Sequence, residues 1–261
     1  MDLRLNNKVV VITGGLKGIG GGISLSLARE GAIPVIISRS KNEEFEKELK
    51  KVCPNGYAIY CFDLADYEGL ESLCKEILNK YPNVYALVNN AGANDNLAIE
   101  EHNIKDIIKS YENNLFHYYE LTRLLLPSIK NNQGNILNIV SKTAVTGQGK
   151  TSAYASAKAA QIGFSREWAC AFAKDNVRVN AIAPAEVMTP LYEKWLKNFP
   201  NPQEQYEQIA SKIPLGKRFT TIEEIADFAT FIISPRSSHT TGQIFHIDGG
   251  YVHLDRALNW D

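Results

Sequence analysis

The stretch Lys8–Gly20, KVVVITGGLKGIG, decides the fold. Lys8–Thr13 is a short run that is apolar on both faces, as a central parallel strand requires. Gly14-Gly15 ends it, and Gly18–Gly31 reads as a helix. Gly14, Gly18 and Gly20 let the backbone turn tightly and approach a pyrophosphate. The helix start adds free N–H groups and the positive end of its dipole. Glycine-rich βα turns are common, but a position directly after the first strand favours a dinucleotide cradle.

Outward from this turn the same rhythm repeats. Strands are expected at Ile33–Ser38, Tyr57–Phe62, Val84–Val88, Asn135–Val140, Val177–Ile182 and Gln243–Ile247. Between them lie helical patterns at Lys41–Val52, Tyr67–Tyr81, Ile104–Leu126 (stopped by Pro127), Thr151–Lys174 and Thr221–Ile233, the last with a Thr cap and glutamates in its first turn. Residues 188–212 break the rhythm and read as a small helical lid. The expectation is one α/β domain over 1–261: a doubly wound, mostly parallel seven-stranded sheet with helices on both faces. Its ligands should sit at the carboxyl ends of the strands.

Composition narrows the function classes. With 28 basic and 29 acidic residues the net charge is -1, against the basic surface that nucleic acid needs. No apolar run is long enough to span a bilayer, and the start MDLRLNNKVVV leaves no room for a secretory h-region. Cys53, Cys61, Cys74 and Cys170 show no metal-ligand spacing. They are expected to be reduced cytoplasmic thiols, most of them packed, with no metal site.

Tyr154 and Lys158 are spaced to share one helix face. An ammonium beside a phenol favours the phenolate, lowering the tyrosine pKa toward neutrality and making it a base for an alcohol. Among 12 tyrosines, one such spacing arises by chance about once, so the surroundings carry the weight. Those surroundings are Ser141 at a strand end and Asn114 inside a helix, where Asn is a poor helix former.

The ordered series TGGLKGIG, NNAG (Asn89–Gly92), Asn114, Ser141, Tyr154-x-x-x-Lys158, RVNAIAP (Arg178–Pro184), Thr189 and DGG (Asp248–Gly250) resembles the short-chain dehydrogenase/reductase family over the whole chain. The resemblance implies an oxidoreductase. Tyr154 would be the base, and Lys158 would bind the nicotinamide ribose and depress the Tyr154 pKa. Ser141 would hold the reacting oxygen, and Asn114 a water linking Lys158 to solvent. The dinucleotide would meet Gly14, Lys17, Gly18, Ile19, Gly20, Asp63, Leu64, Asn90, Ala91, Gly92, Pro184, Val187 and Thr189. Two departures stand out: Ala185 replaces the usual glycine after Pro184, and Lys142 follows Ser141.

Members that prefer NAD carry an acid at the end of strand two. Here Ser38 and Arg39 stand there, with Lys17 nearby, which suits a 2′-phosphate. NADP is therefore the expected cofactor, with NAD possible. Five stretches, among them SKTAVTGQGKTSAYASAK (Ser141–Lys158) and NAIAPAEVMTPLYEKW (Asn180–Trp195), resemble a narrower group, the bacterial L-fucose dehydrogenases. That likeness implies oxidation of an aldose at its anomeric carbon. Asn94, Asp95, Lys142, Gln148 and Glu186 fall on strand-end loops and suit a polar ligand, with Gln148 and Glu186 as the expected sugar ligands beside Ser141 and Tyr154. Tyr192 and Trp195 suit either a sugar face or the lid's own core. Tyr251, His253 and Arg256 are further candidates. The competing readings are a carbonyl reductase or hydroxysteroid dehydrogenase, and a nucleotide sensor on the same fold. The family's usual homotetramer is also implied, with the small face Ala153, Ala157 and Ala160 available for close helix approach.

Overall fold

The computed structural model describes residues 1–255; Arg256 lies outside them. All seven strands are parallel, in the order β3-β2-β1-β4-β5-β6-β7. They are β1 (Val9–Thr13), β2 (Ile33–Ser38), β3 (Ala58–Cys61), β4 (Val84–Asn89), β5 (Asn135–Ile139), β6 (Arg178–Ile182) and β7 (Ile244–Phe245). Every residue of β1, β4, β5 and β6 is buried, as a sheet covered on both faces demands. One covering layer packs Val9, Val11 and Leu87 against Leu121, Leu125 and Trp168. The other packs Val10, Ile12 and Val88 against Ile23, Leu27 and Ile225. The strand order reverses between β1 and β4, so their carboxyl ends open a crevice there.

The helices are α1 (Gly18–Arg29), α2 (Glu43–Val52), α3 (Tyr67–Lys80), α4 (Ile104–Tyr111), α5 (His117–Asn131), α6 (Ser152–Phe172), α7 (Pro190–Leu196), α8 (Pro202–Ala210) and α9 (Ile222–Ile233). Helix α9 starts on the expected Thr221 cap, closed into a capping box by Glu224. At its other end the buried Arg178 guanidinium donates to the carbonyls of Ile232 (2.8 Å) and Ser234 (3.1 Å), tying β6 to the helix terminus.

Three expectations need correction. The single helix over 104–126 is broken by a wide π turn at Glu112–Phe116, which separates α4 from α5. Pro127 does not stop α5, which runs through it to Asn131. Pro127 and Arg123, whose carbonyl loses its partner, both lie on the exposed face, where water can take the missing hydrogen bond. The expected lid is α7 and α8, each starting on Pro behind an Asx or Thr cap. Of the four free thiols only Cys74 is buried, while Cys61 and Cys170 are exposed, so most are not packed. Among the described residues no helix is long and apolar enough to cross a membrane, and no cluster of metal-ligating side chains occurs.

Candidate active site

A cavity of about 640 Å³ opens at the carboxyl ends of the strands. It is lined by Gly14, Lys17, Gly18, Ile19, Ser38, Arg39, Asp63, Leu64, Asn90, Ala91, Gly92, Ser141, Tyr154, Lys158, Pro184, Val187 and Thr189. Gly20, Asn114, Gln148 and Glu186 do not line it.

The cradle is a main-chain turn tied in place by the Thr13 and Asn90 side chains. Thr13 Oγ1 accepts from the backbone N–H of Asn90 and of Ala91, each at 2.9 Å, locking β1 to β4 at the switch point. The Asn90 amide donates back to the Thr13 carbonyl at 2.9 Å. Gly14 and Gly18 have φ of +66° and +55°, conformations that a side chain disfavours. A Cβ on Gly20 would run into the Asn90 amide and the Gly14 carbonyl, so Gly20 serves the cradle from behind. The Lys17, Arg39 and Lys194 side chains border the cavity without a salt bridge among the described residues. A tight turn free of side chains, at a helix start, flanked by unpaired cations, fits a dinucleotide with its phosphates.

On the opposite wall stands the proton-handling set. Ser141 Oγ accepts from Thr143 N–H (3.2 Å) and Thr143 Oγ1 (3.0 Å), which leaves its own proton to donate. It lies within hydrogen-bonding reach of the Tyr154 hydroxyl. Lys158 is buried, and its Nζ donates to the Ile139 carbonyl (2.9 Å), Gln161 Oε1 (3.3 Å) and Tyr118 OH (3.4 Å). Its Nζ sits 5.7 Å from the centre of the Tyr154 ring.

The pKa directions correct the simplest expectation. Burial pushes Tyr154 up to about 12, opposed by the Ser141 hydrogen bond and assisted by the charge of Asp95. Burial pulls Lys158 down to about 7, against an ordinary 10.5. The lysine that should stabilise a phenolate is itself losing its charge at neutral pH. Desolvation acts on both groups and disfavours the charged form of each.

Asn114 is buried within the wide turn. Its carboxamide is engaged with main chain: Oδ1 accepts from Ala93 N–H (2.9 Å), and Nδ2 donates to Ala93 O (3.0 Å) and Ser110 O (2.9 Å). The wide turn turns its carbonyl toward α6, where Gln161 Nε2 donates to it. Gln161 thus bonds both Lys158 and the Asn114 carbonyl. Neither Gln161 nor Tyr118 was picked out from the sequence. A spacing of three residues from Lys158 on a helix face was the available sign for Gln161.

Gln148 is exposed and outside the cavity. The chain at 147–150 runs over the surface. Glu186 and Lys142 form a buried ion pair behind the cavity wall, with both side chains 10% exposed. The Lys142 Nζ also lies 4.2 Å over the Tyr251 ring. Asp95 accepts from Ser110 Oγ at 2.6 Å. Tyr192 and Trp195 meet edge-on within an aromatic cluster, and Tyr192 also lines the cavity, so its two readings coexist. Ala153 and Ala157 are buried within the chain itself, which fits the alternative reading of this face as packing on the sheet.

A family model described as enoyl-(acyl carrier protein) reductase matches residues 14–252. The 3-oxoacyl-[acyl-carrier-protein] reductase of Thermotoga maritima is 34% identical over 96% of this chain and 100% of its own. The L-fucose dehydrogenase of Bos taurus is 31% identical over 96% of this chain and 91% of its own. Among solved structures, the Cj0485 dehydrogenase is 69% identical with a TM-score of 0.97, covering 100% of both chains. The L-sorbose reductase of Gluconobacter frateurii, solved with NADPH and L-sorbose, is 30% identical with a TM-score of 0.92, covering 98% of this chain and 100% of its own. The chain belongs to the short-chain dehydrogenase/reductase family and is an oxidoreductase of alcohols or ketones.

Proposed function

We propose that the protein oxidises the anomeric carbon of L-fucose, or of a related aldose, to the lactone, with NADP⁺ preferred as hydride acceptor. The observation that carries the chemistry is the meeting of Ser141, Tyr154 and Lys158 on one wall of the cavity that the glycine turn opens. The absence of a carboxylate at Ser38-Arg39, with Lys17 alongside, supports a 2′-phosphate. The L-sorbose and L-fucose enzymes among the relatives support a sugar.

In this reading Tyr154 takes the proton from the anomeric hydroxyl while Ser141 donates to the same oxygen. NADP⁺, when bound, accepts the hydride from C1. That carbon already carries the ring oxygen, so its oxidation gives a lactone. Lys158, Gly14, Gly18 and Asn90 would hold the dinucleotide, and Gln161 Oε1 holds the Lys158 ammonium in place by accepting from it. Helices α7 and α8 cover the substrate. The unpaired thiols suit a cytoplasmic protein. The exposed Ile108, Phe116 and Tyr119, on α4, the wide turn and α5, suit a homotetramer.

The acyl-carrier description and the Thermotoga relative favour a second reading, reduction of a 3-oxoacyl thioester. A screen of NADP⁺ and NAD⁺ reduction over aldoses, simple alcohols and sterols, with NADPH oxidation over acyl ketones, separates the two. The first reading expects turnover of L-fucose, with higher kcat/KM for NADP⁺. A signal only with a sterol or acyl ketone overturns it, and equal use of NAD⁺ overturns the cofactor preference.

A further inference from the structure

Tyr192 opens α7 and faces the cavity, half-buried. Its ring is held edge-on by Trp195 (5.2 Å between centroids) and by Phe219 (5.0 Å), so the hydroxyl has little room to swing. That hydroxyl lies within hydrogen-bonding reach of the Glu186 carboxylate. Glu186 is itself buried, held by the Lys142 ammonium, and its backbone carbonyl accepts from Thr220 N–H at 3.0 Å. Lys142 in turn is fixed by its own N–H, which donates to the Pro184 carbonyl at 2.9 Å.

A carboxylate is an acceptor only, whereas a phenol has one proton and two lone pairs. A phenol beside a carboxylate therefore gives its proton to that carboxylate, and the rest of its oxygen can only accept. Burial and the neighbouring Glu186 charge both raise the Tyr192 pKa, so the phenol keeps the proton it shares. A buried Lys–Glu pair contributes little net stability, and this pair's consequence is placement.

We propose that Tyr192 is a specificity residue that accepts a hydrogen bond from a second, non-reacting hydroxyl of the substrate, with Glu186 and Lys142 as the positioning residues that fix its polarity. A ketone or ether oxygen at that point would set acceptor against acceptor. A hydroxyl satisfies it, so the site selects a polyol over a molecule with one oxygen. The proposal rests on the sugar reading above.

The test compares L-fucose with its 2-, 3- and 4-deoxy and deoxy-fluoro analogues on the intact enzyme, and on Tyr192→Phe. It reads KM, since fluorine also slows hydride loss. At one position the deoxy and the fluoro sugar should each raise KM about five- to tenfold, because C–F accepts but cannot donate. Tyr192→Phe should raise KM for L-fucose by a similar factor, and the variant combined with that deoxy sugar should be no worse than either alone. Titration of NADP⁺ by fluorescence checks that the variant is folded. If fluorine restores KM, Tyr192 donates and the proposal falls. It falls equally if losses add at every position, and in both cases turnover of L-fucose leaves the sugar reading standing. If the enzyme turns over no aldose, the sugar reading falls and takes the proposal with it. The fluorinated series needs no variant, so a misfolded Tyr192→Phe leaves the question decidable.

Discussion

At the glycine turn main-chain atoms line the cavity, while at the turn after β6 side chains are placed by one another. The first region is a set of backbone N–H groups whose geometry follows from where glycine is required. The second is a buried chain of Lys142, Glu186 and Tyr192 that joins three separate segments. A region made of backbone tolerates no added atoms but is indifferent to the chemistry of its neighbours. A region made of charged side chains is the reverse, since each member is placed by another.

The sharpest break lies between chemistry and binding. Tyr154→Phe should lower kcat by about a thousandfold or more while leaving NADP⁺ affinity nearly unchanged, because it removes the proton acceptor and nothing from the cradle. Steady-state rates and a cofactor titration read this directly; a kcat within tenfold of wild type refutes the assignment. The backbone region should fail differently. Gly20→Ala puts a methyl against the Asn90 amide and the Gly14 carbonyl, and should weaken NADP⁺ binding at least about tenfold. Unchanged affinity would mean the turn yields more readily than its packing implies.

A smaller effect concerns Lys158. Its folded pKa of about 7 lies below the ordinary 10.5. Between these values the unfolded chain binds a proton that the folded chain has released, so stability rises with pH across that window. It is least below about 7, where the buried cation persists. Lys158→Met should therefore gain more in Tm, relative to wild type, at pH 6.5 than at pH 9.5 in the cofactor-free protein. A gain that does not change with pH would mean the lysine is charged throughout. The smallest effect should come from Gln148→Ala. An exposed residue outside the cavity should change kcat/KM by less than about twofold. A larger loss would place the 147–150 loop over the substrate.

This contrast also explains what could be read from residues alone. The alternation of strands and helices, the cradle and the Ser141–Tyr154–Lys158 set were legible because each depends on local spacing: a strand, a glycine turn, one helical turn between Tyr154 and Lys158. The π turn was not legible, since Glu112–Phe116 has no composition that distinguishes a wide turn from an ordinary one. Its consequence, the engagement of Asn114 with Ala93 and Gln161, was hidden with it. Lys142 and Glu186 were singled out as unusual, but as groups facing a ligand. Their pairing joins residues 44 apart, and no local pattern announces such a partner. That Gln148 stands outside the cavity lining was not legible, because its position depends on the path of a short surface loop. The Tyr154 pKa went astray because a charge argument from spacing omits the burial that acts on both partners.

The wide turn before α5 makes residue count, as well as residue identity, part of the site. Each residue advances a helix by about 100°, so losing one residue between Ser110 and His117 would rotate Tyr118 around the α5 axis and carry it away from Lys158. The same loss would turn the Asn114 carbonyl off Gln161. Single-residue deletions, which substitution scans never sample, are therefore the changes that would reach deepest into the proton-handling set from this stretch.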